Sequence, residues 1–350
     1  MESGRPMNHT TVGVIGAGRI GRMHTENLVH HIPDAEVKAV ASPHLDEGWA
    51  EELGIPGRSI DNSAVFGDPE IEAVVITAPS GLHCELILEA AAAGKHVFCE
   101  KPVALEPGPI EDVLKATQRA GVLLQVGFNR RSDPSLLDLV ETVREGRVGD
   151  VHTVRVTNRD PKAPPIDFVK RSGGIFLDFL IHDFDTLRFL SGSEIVEVYA
   201  TGGVLIDPEI GAAGDIDTAM VTARLANGAL AVIDASRQAV YGYDQRFEVF
   251  GSAGSVAVNN TTTSTRVVST TGGVVGRTPH DGFVSRYREA FIAELSGFLA
   301  AVRGDSPIVA GAEDALAAVC AAVAARESFN QNRPIRLAET APVAGEGTTA

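Results

Sequence analysis

The run Gly16-Ala17-Gly18-Arg19-Ile20-Gly21 limits what this chain can fold into more than any other segment. It follows TTVGVI, a β-branched stretch, and it opens a helical pattern that continues to about His31. A strand, a GxGxxG turn and a helix in that order form the fingerprint of a dinucleotide-binding βαβ unit. The first glycine turns the chain tightly, the second lets backbone approach a pyrophosphate, and the third lets helix pack on strand. The helix N-terminus then faces the anion. Gly16, Gly18, Arg19, Ile20 and Gly21 are therefore candidate cofactor contacts. A glycine triplet alone is weak, but the chain beyond it continues the pattern. VKAVA, EAVVITA, HVFCE and VLLQVG read as strands, with helical stretches such as LHCELILEAAAAG and IEDVLKATQRAG between them. These strands are apolar throughout, as strands covered on both faces should be, so the first half implies a parallel sheet.

The character changes after Gly127. A helix from about Pro134 to Glu145 and a strand from Asp150 to Asn158 lead through the Pro-rich loop RDPKAPP to an apolar helix pattern. Five runs of strand character follow: IVEVYAT, DTAMVTARL, GALAVIDASR, QRFEVFG and GSVAVNN. Gly, Asn and Asp stand between them, which points to hairpins and antiparallel pairing. Helices around Phe283–Arg303 and Ala312–Phe329 close the chain. The expected fold class is α/β: a Rossmann dinucleotide-binding domain over 10–127, then an α+β domain with an open, mostly antiparallel sheet over 128–338. Residues 1–9 and 339–350 read as flexible tails.

A length of 350 residues suits two domains. A net charge of −16 argues against nucleic acid and anionic membranes as partners. Cys84, Cys99 and Cys320 are far apart, with no metal or CxxC spacing, so they read as free thiols of a reducing cytosol. No apolar run has the length of a membrane span, and MESGRPMNHTT lacks the apolar region of a secretion signal.

Chemistry concentrates in two places. Between Ser172 and Leu190 the chain reads SGGIFLDFLIHDFDTLRFL, and Asp178, His182 and Asp185 stand at i, i+4 and i+7 on one helical face. Carboxylates and an imidazole in so apolar a helix are costly unless paired or used. Lys101, in Cys99-Glu100-Lys101-Pro102, follows the strand HVF and so stands beyond the carboxyl end of a parallel sheet, where ligands bind. Oxidising a secondary alcohol needs a base while hydride leaves carbon for a cofactor. A neutral His182 suits the base; Lys101 can share the proton or steady the oxygen; Asp178 can orient the ring or hold the lysine. No His/Cys/Glu grouping has ligand spacing, so no metal is expected. At the end of the second strand Ser42 stands where a carboxylate would read the ribose of NAD. With Arg19 in the glycine loop, this favours acceptance of NADP; NAD remains open.

GAGRIG, TAPSGLH, CEKP, VGFNRRSDP and GGIFLDFLIHD together resemble the Gfo/Idh/MocA oxidoreductases over about residues 10–335, closest to their inositol dehydrogenase branch. The resemblance implies a catalytic set of Lys101, Asp178 and His182. It implies cofactor contacts from Thr77, Pro79, His83, Glu100 and Lys101, in addition to the glycine loop and Ser42. It implies polyol contacts from Arg131, Asn158, Asp160, Asp185 and either Tyr241 or Tyr243. Its implied activity is the oxidation of a cyclic polyol, with myo-inositol to 2-keto-myo-inositol foremost. Another inositol isomer, a sugar, and a non-catalytic NADP-binding regulator are the alternatives. A homo-oligomer, as a tetramer, is the implied assembly. The departure from the family's pattern is Ser42, where an aspartate is usual.

Overall fold

The structure, a computed structural model, describes residues 9–337, so the expected tails lie almost wholly outside the described residues. The first half forms a six-stranded parallel sheet of β1 (Thr10–Ile15), β2 (Ala35–Ala41), β3 (Gly57–Ser59), β4 (Ala73–Ile76), β5 (His96–Cys99) and β6 (Leu124–Val126). Their spatial order is β3-β2-β1-β4-β5-β6. Chain direction reverses its spread between β1 and β4, the switch point where doubly wound sheets hold ligands. Val12, Val14, Val40, Val75 and Phe98 are fully buried, as double cover demands. Each such side chain contributes about 1.5–3 kcal/mol by leaving water. The sequence reading missed β3 because it is a three-residue edge strand, GRS, with no apolar run to mark it.

The helices covering this sheet do not all come from the first half. His83–Ala92 and Pro107–Ala120 pack on one face through Leu86, Ile87, Ile110 and Val113. Arg19–His31 packs on the other, and it is joined there by Arg288–Val302, whose Leu295, Phe298 and Leu299 share a core with Val12, Leu28 and Phe98. The chain therefore returns after residue 280 to complete the first core.

The second sheet contains β7 (Val151–Arg159), β8 (Ile195–Gly203), β9 (Thr218–Leu225), β10 (Leu230–Ser236), β11 (Asp244–Gly251) and β12 (Gly254–Val258). A separate exposed hairpin pairs β13 (Val268–Thr270) with β14 (Gly273–Val275), and β15 (Ile335–Arg336) adds to the large sheet's edge. The order is β12-β11-β7-β10-β9-β8-β15, antiparallel throughout except for the parallel pair β7 and β10. Alternate residues of β9 and β10, including Val221, Leu225, Ile233 and Ala235, are buried on the inner face. The apolar sides of these strands thus face inward, within the chain. The outer face is mixed: Met220 and Leu230 are exposed beside Arg155, Glu197 and Arg224.

The apolar helix expected over 172–190 is broken. A helix Ile166–Ser172 ends at Gly173 and Gly174, both with positive φ (88° and 82°). Ile175–Phe179 then forms a π turn, and the α-helix proper is Ile181–Ser191. Only glycine adopts two such backbone conformations in succession cheaply. Single π turns within helices often mark functional sites. This one sets Asp178 in wider backbone than the α-helix carrying His182 and Asp185.

Candidate active site

The glycine loop has the geometry that its spacing requires. Gly16 has φ +101°, and a Cβ there would lie 2.8 Å from the Ala78 nitrogen. A Cβ on Gly21 would lie 2.0 Å from the Gly16 carbonyl oxygen, so only glycine lets the helix close on the loop. Gly18 is different: it is exposed, with open space where a Cβ would stand. The helix Arg19–His31 starts there with no side-chain cap, which leaves its first N–H groups for an anion. An open cradle over uncapped amides fits a dinucleotide pyrophosphate. Ile20, in the first turn, is half-buried. The Thr77 hydroxyl donates to the Gly16 oxygen at 2.8 Å and so braces the loop, and Pro79 is exposed on the adjoining turn.

At the ribose end Ser42 is nearly buried, its N–H donating to Ser59 at 2.9 Å. Arg19 is exposed, with its guanidinium 5.1 Å over the Phe283 ring. A second cation lies here that the sequence did not mark. Arg22 donates to the Ala17 oxygen of the glycine loop at 3.4 Å and to Asp46 at 3.1 Å, over the Trp49 ring. It bridges the glycine loop and the segment after β2.

Two expected cofactor contacts serve the interior. His83 is 1 % exposed, and its ring nitrogens sit 2.8 Å from the Pro102 oxygen and 2.7 Å from the Ala78 oxygen. Set between these two carbonyls, it ties the turn after β4 to the turn after β5. The Glu100 carboxylate accepts from the Lys101 backbone N–H at 3.2 Å and meets His24 Nε2 at 2.8 Å.

Lys101 stands beyond the end of β5 and reaches across to the π turn. Its Nζ donates to the Asp178 carbonyl oxygen at 2.9 Å and lies 3.5 Å from Asp178 Oδ1. Asp178 Oδ2 lies 3.5 Å from Arg237, which is 1 % exposed and also pairs with Asp215 at 3.4 Å. Asp178 therefore holds the lysine. One turn on, His182 Nδ1 is buried without a partner, the ring is edge-on to Phe128, and Nε2 is left for the cleft. Burial first, then the charges of Lys101 and Arg130, hold its imidazole well below the ordinary range. His182 is thus neutral at pH 7 and free to accept a proton. Asp160 sits among the same groups. Burial, with Asp178 adding and Arg237, Lys101 and Arg130 opposing, pushes its carboxyl up to about 7. Groups displaced toward the working pH are characteristic of acid–base sites.

The two tyrosines separate clearly. Tyr241 is exposed, and its hydroxyl donates to Asp244 and accepts from Arg159 at 3.1 Å. Tyr243 is buried, edge-on to Tyr287 at 6.2 Å. Burial raises its phenol well above 10, and it feels the charges of Arg130, Asp160 and Asp183. Of the two, Tyr243 is the one near Asp160.

Three expected polyol contacts are spent on the protein itself. Arg131 grips both oxygens of Asp185, at 2.9 and 2.7 Å, and also bonds Asp314 at 2.7 Å and the Val309 oxygen at 3.1 Å. Asp185 is 1 % exposed, so this is an interior fork. The Asn158 amide donates to Asp183 at 2.6 Å and accepts from Gln245. The residues missed are the rest of that network, Arg130, Asp183 and Gln245, with Arg237. Arg130 is paired to Asp183 and donates to Gln245 at 2.7 Å. The available signal was Asp183 itself, a carboxylate between Leu180, Phe184 and Leu187.

Two family models match the chain. "Oxidoreductase family, NAD-binding Rossmann fold" covers residues 10–128, and "GFO/IDH/MocA C-terminal domain" covers 136–257. The myo-inositol 2-dehydrogenase of Thermotoga maritima is 43 % identical over 94 % of this chain and 98 % of its own. A putative myo-inositol dehydrogenase structure from Sinorhizobium meliloti superposes with a TM-score of 0.90 at 42 % identity, over 94 % of this chain and 100 % of that one. The scyllo-inositol dehydrogenase of Lactobacillus casei, solved with NAD(H) and scyllo-inositol, gives 0.88 at 32 % identity, over 94 % and 99 %. With both halves matched, this chain belongs to the Gfo/Idh/MocA family of NAD-binding oxidoreductases.

Proposed function

We propose that this protein oxidises a ring hydroxyl of a cyclic polyol to the ketone, with myo-inositol to 2-keto-myo-inositol as its reaction. The observation that carries the reading is the Lys101–Asp178 pair beyond the carboxyl end of β5, with His182 close enough to feel the lysine's charge, in a fold with an open glycine cradle. The relatives named for myo- and scyllo-inositol support the substrate class. The nicotinamide, when bound, accepts the hydride. His182 Nε2 takes the hydroxyl proton. Lys101, steadied by Asp178, donates a hydrogen bond to the oxygen as it becomes a carbonyl. Asp160 and Tyr243 engage neighbouring hydroxyls, and Arg237 fixes Asp178 from behind. The assembled trio favours an enzyme over a non-catalytic regulator, and its setting is the reducing cytosol, where Cys84, Cys99 and Cys320 stay free.

NADP is accepted alongside NAD, because Ser42 puts no carboxylate against a 2′-phosphate, while Arg19 and Arg22 supply cations at that rim. The test is a panel of inositols and sugars with each cofactor, read as reduced-nicotinamide absorbance. Inositols will be oxidised, myo-inositol with the highest kcat/KM. Ser42→Asp will move preference toward NAD by roughly tenfold, a step needing only about 1.4 kcal/mol. No oxidation of any polyol ends the functional reading. A wild type that strongly prefers NAD and ignores Ser42→Asp ends the cofactor reading.

The outer face of the second sheet, with Met220 and Leu230 exposed, supports a homo-oligomer, as a tetramer. Light scattering at micromolar concentration will give about four times the 36.8 kDa chain mass. A mass near 36.8 kDa itself means a monomer and sinks the assembly.

A further inference from the structure

Behind Lys101 lies a buried cluster that the mechanism above leaves unused. His24, Glu100 and Glu294 bring one ligand atom each within 4.8 Å of one another. They come from the glycine-loop helix, the EKP turn and the late helix Arg288–Val302. His24 is fully buried, with Phe98 and Phe291 edge-on to its ring, and Glu294 is 2 % exposed. Glu100 is well partnered: His24 Nε2 meets one oxygen at 2.8 Å, and the Lys101 N–H donates to the other at 3.2 Å. Gly127 backs the same carboxylate so closely that a Cβ there would lie 3.2 Å from it. Two atoms of the cluster, Glu294 Oε1 and His24 Nδ1, are buried with no hydrogen-bond partner among the described residues. An ionised carboxylate at Glu294 would be a second buried negative charge beside Glu100, with no donor of its own. Two carboxylates confined together do not both ionise.

We propose that Glu294 is a positioning residue for Lys101: as a neutral carboxylic acid it donates its O–H to the Glu100 carboxylate, directly or through one water, and so locks the EKP turn from the far helix. The proton stays on Glu294, and Glu100 and His24 complete the ring. Burial and the neighbouring Glu100 both raise the Glu294 carboxyl well above its ordinary value, which agrees with this geometry. The function assigned to Glu294 rests on the reading of Lys101 as a catalytic residue; its protonation does not.

Two measurements test the proposal. In difference infrared spectra at pH 7, wild type will show the C=O stretch of a protonated carboxyl, and Glu294→Gln will lack it. Loss of an ionised-carboxylate band instead overturns the proposal. In kinetics, Glu294→Leu will lower kcat on the order of tenfold or more, as small misplacements of catalytic groups do, with the NAD dissociation constant unchanged. Glu294→Gln, whose amide supplies a permanent donor, will recover most of that loss. A Glu294→Leu enzyme with lowered Tm but unchanged kcat, or a Gln variant that rescues nothing, overturns the positioning role. So does one zinc per chain that Glu294→Gln abolishes, which would make the cluster a metal site. If no polyol is oxidised by wild type, the functional reading has failed, and the infrared band still decides the state of Glu294. If Glu294→Leu does not fold, the Gln variant carries the spectroscopic test.

Discussion

Replacing His182 or Lys101 with alanine will lower kcat for polyol oxidation by about 10²- to 10⁴-fold, the usual contribution of positioned proton transfer. The NAD dissociation constant will stay near wild type, because the cradle at Gly16, Gly18 and Gly21 does not include either side chain. The pH profile separates the two titrating groups of the cleft. Burial, Lys101 and Arg130 disfavour the imidazolium of His182, so the neutral base is present at pH 7. That base is lost only as pH falls below the ordinary histidine range, and the corresponding limb of kcat/KM will lie below about 6.5. An inflection near 7 belongs to Asp160, whose carboxyl ionises at about 7, and it will vanish in Asp160→Asn. Near wild-type kcat in either alanine variant would remove that residue from the mechanism.

The largest stability loss is expected away from the reacting groups. Asp183→Ala will cost about 3–5 kcal/mol, read as a lower denaturation midpoint, because it leaves Arg130 buried and uncompensated. Asp183 is fully buried, and Arg130 is 3 % exposed. Burial raises the Asp183 carboxyl, and Arg130 and Asn158 offset that only in part. The same change also strips Asn158 of an acceptor and loosens Gln245, so the penalty comes from one network rather than one bond. The exposed pair of Lys115 with Glu111 offers the contrast, since water screens it and its loss costs little. A loss for Asp183→Ala under about 1 kcal/mol would mean that water reaches the network and the argument from burial fails.

The residues that sequence reading placed well are those whose role follows from local geometry. Gly16 and Gly21 must be glycine because of atoms a few residues away or on the adjoining strand, and the GxGxxG spacing encodes that directly. The parallel sheet was legible because βαβ alternation and fully apolar strands are properties of short windows. Lys101 was placed by one topological rule, that strand ends carry ligands. The internal partners of His83 and Arg131 were not legible, for a common reason. Each is polar, lies in a motif and looks available in one dimension. Whether such a side chain faces a cleft or another side chain depends on segments far along the chain. Arg131 is consumed by Asp185 and Asp314, which lie 54 and 183 positions away.

The helix over 172–190 shows the limit most clearly. Its 3.6-residue pattern is present in the sequence, but Gly173 and Gly174 and the π turn after them break the helix before His182. That break is a tertiary outcome, because the Asp178 carbonyl serves Lys101, 77 positions earlier. The sequence by itself determined the nucleotide fold and its glycine cradle, since these follow from contacts within a few residues or one βαβ unit. Only the tertiary structure decided which carboxylates stay in the cleft and which are neutralised within the protein. Burying a charge is costly enough that each must find its partner, and the partner is supplied by the packing of distant segments.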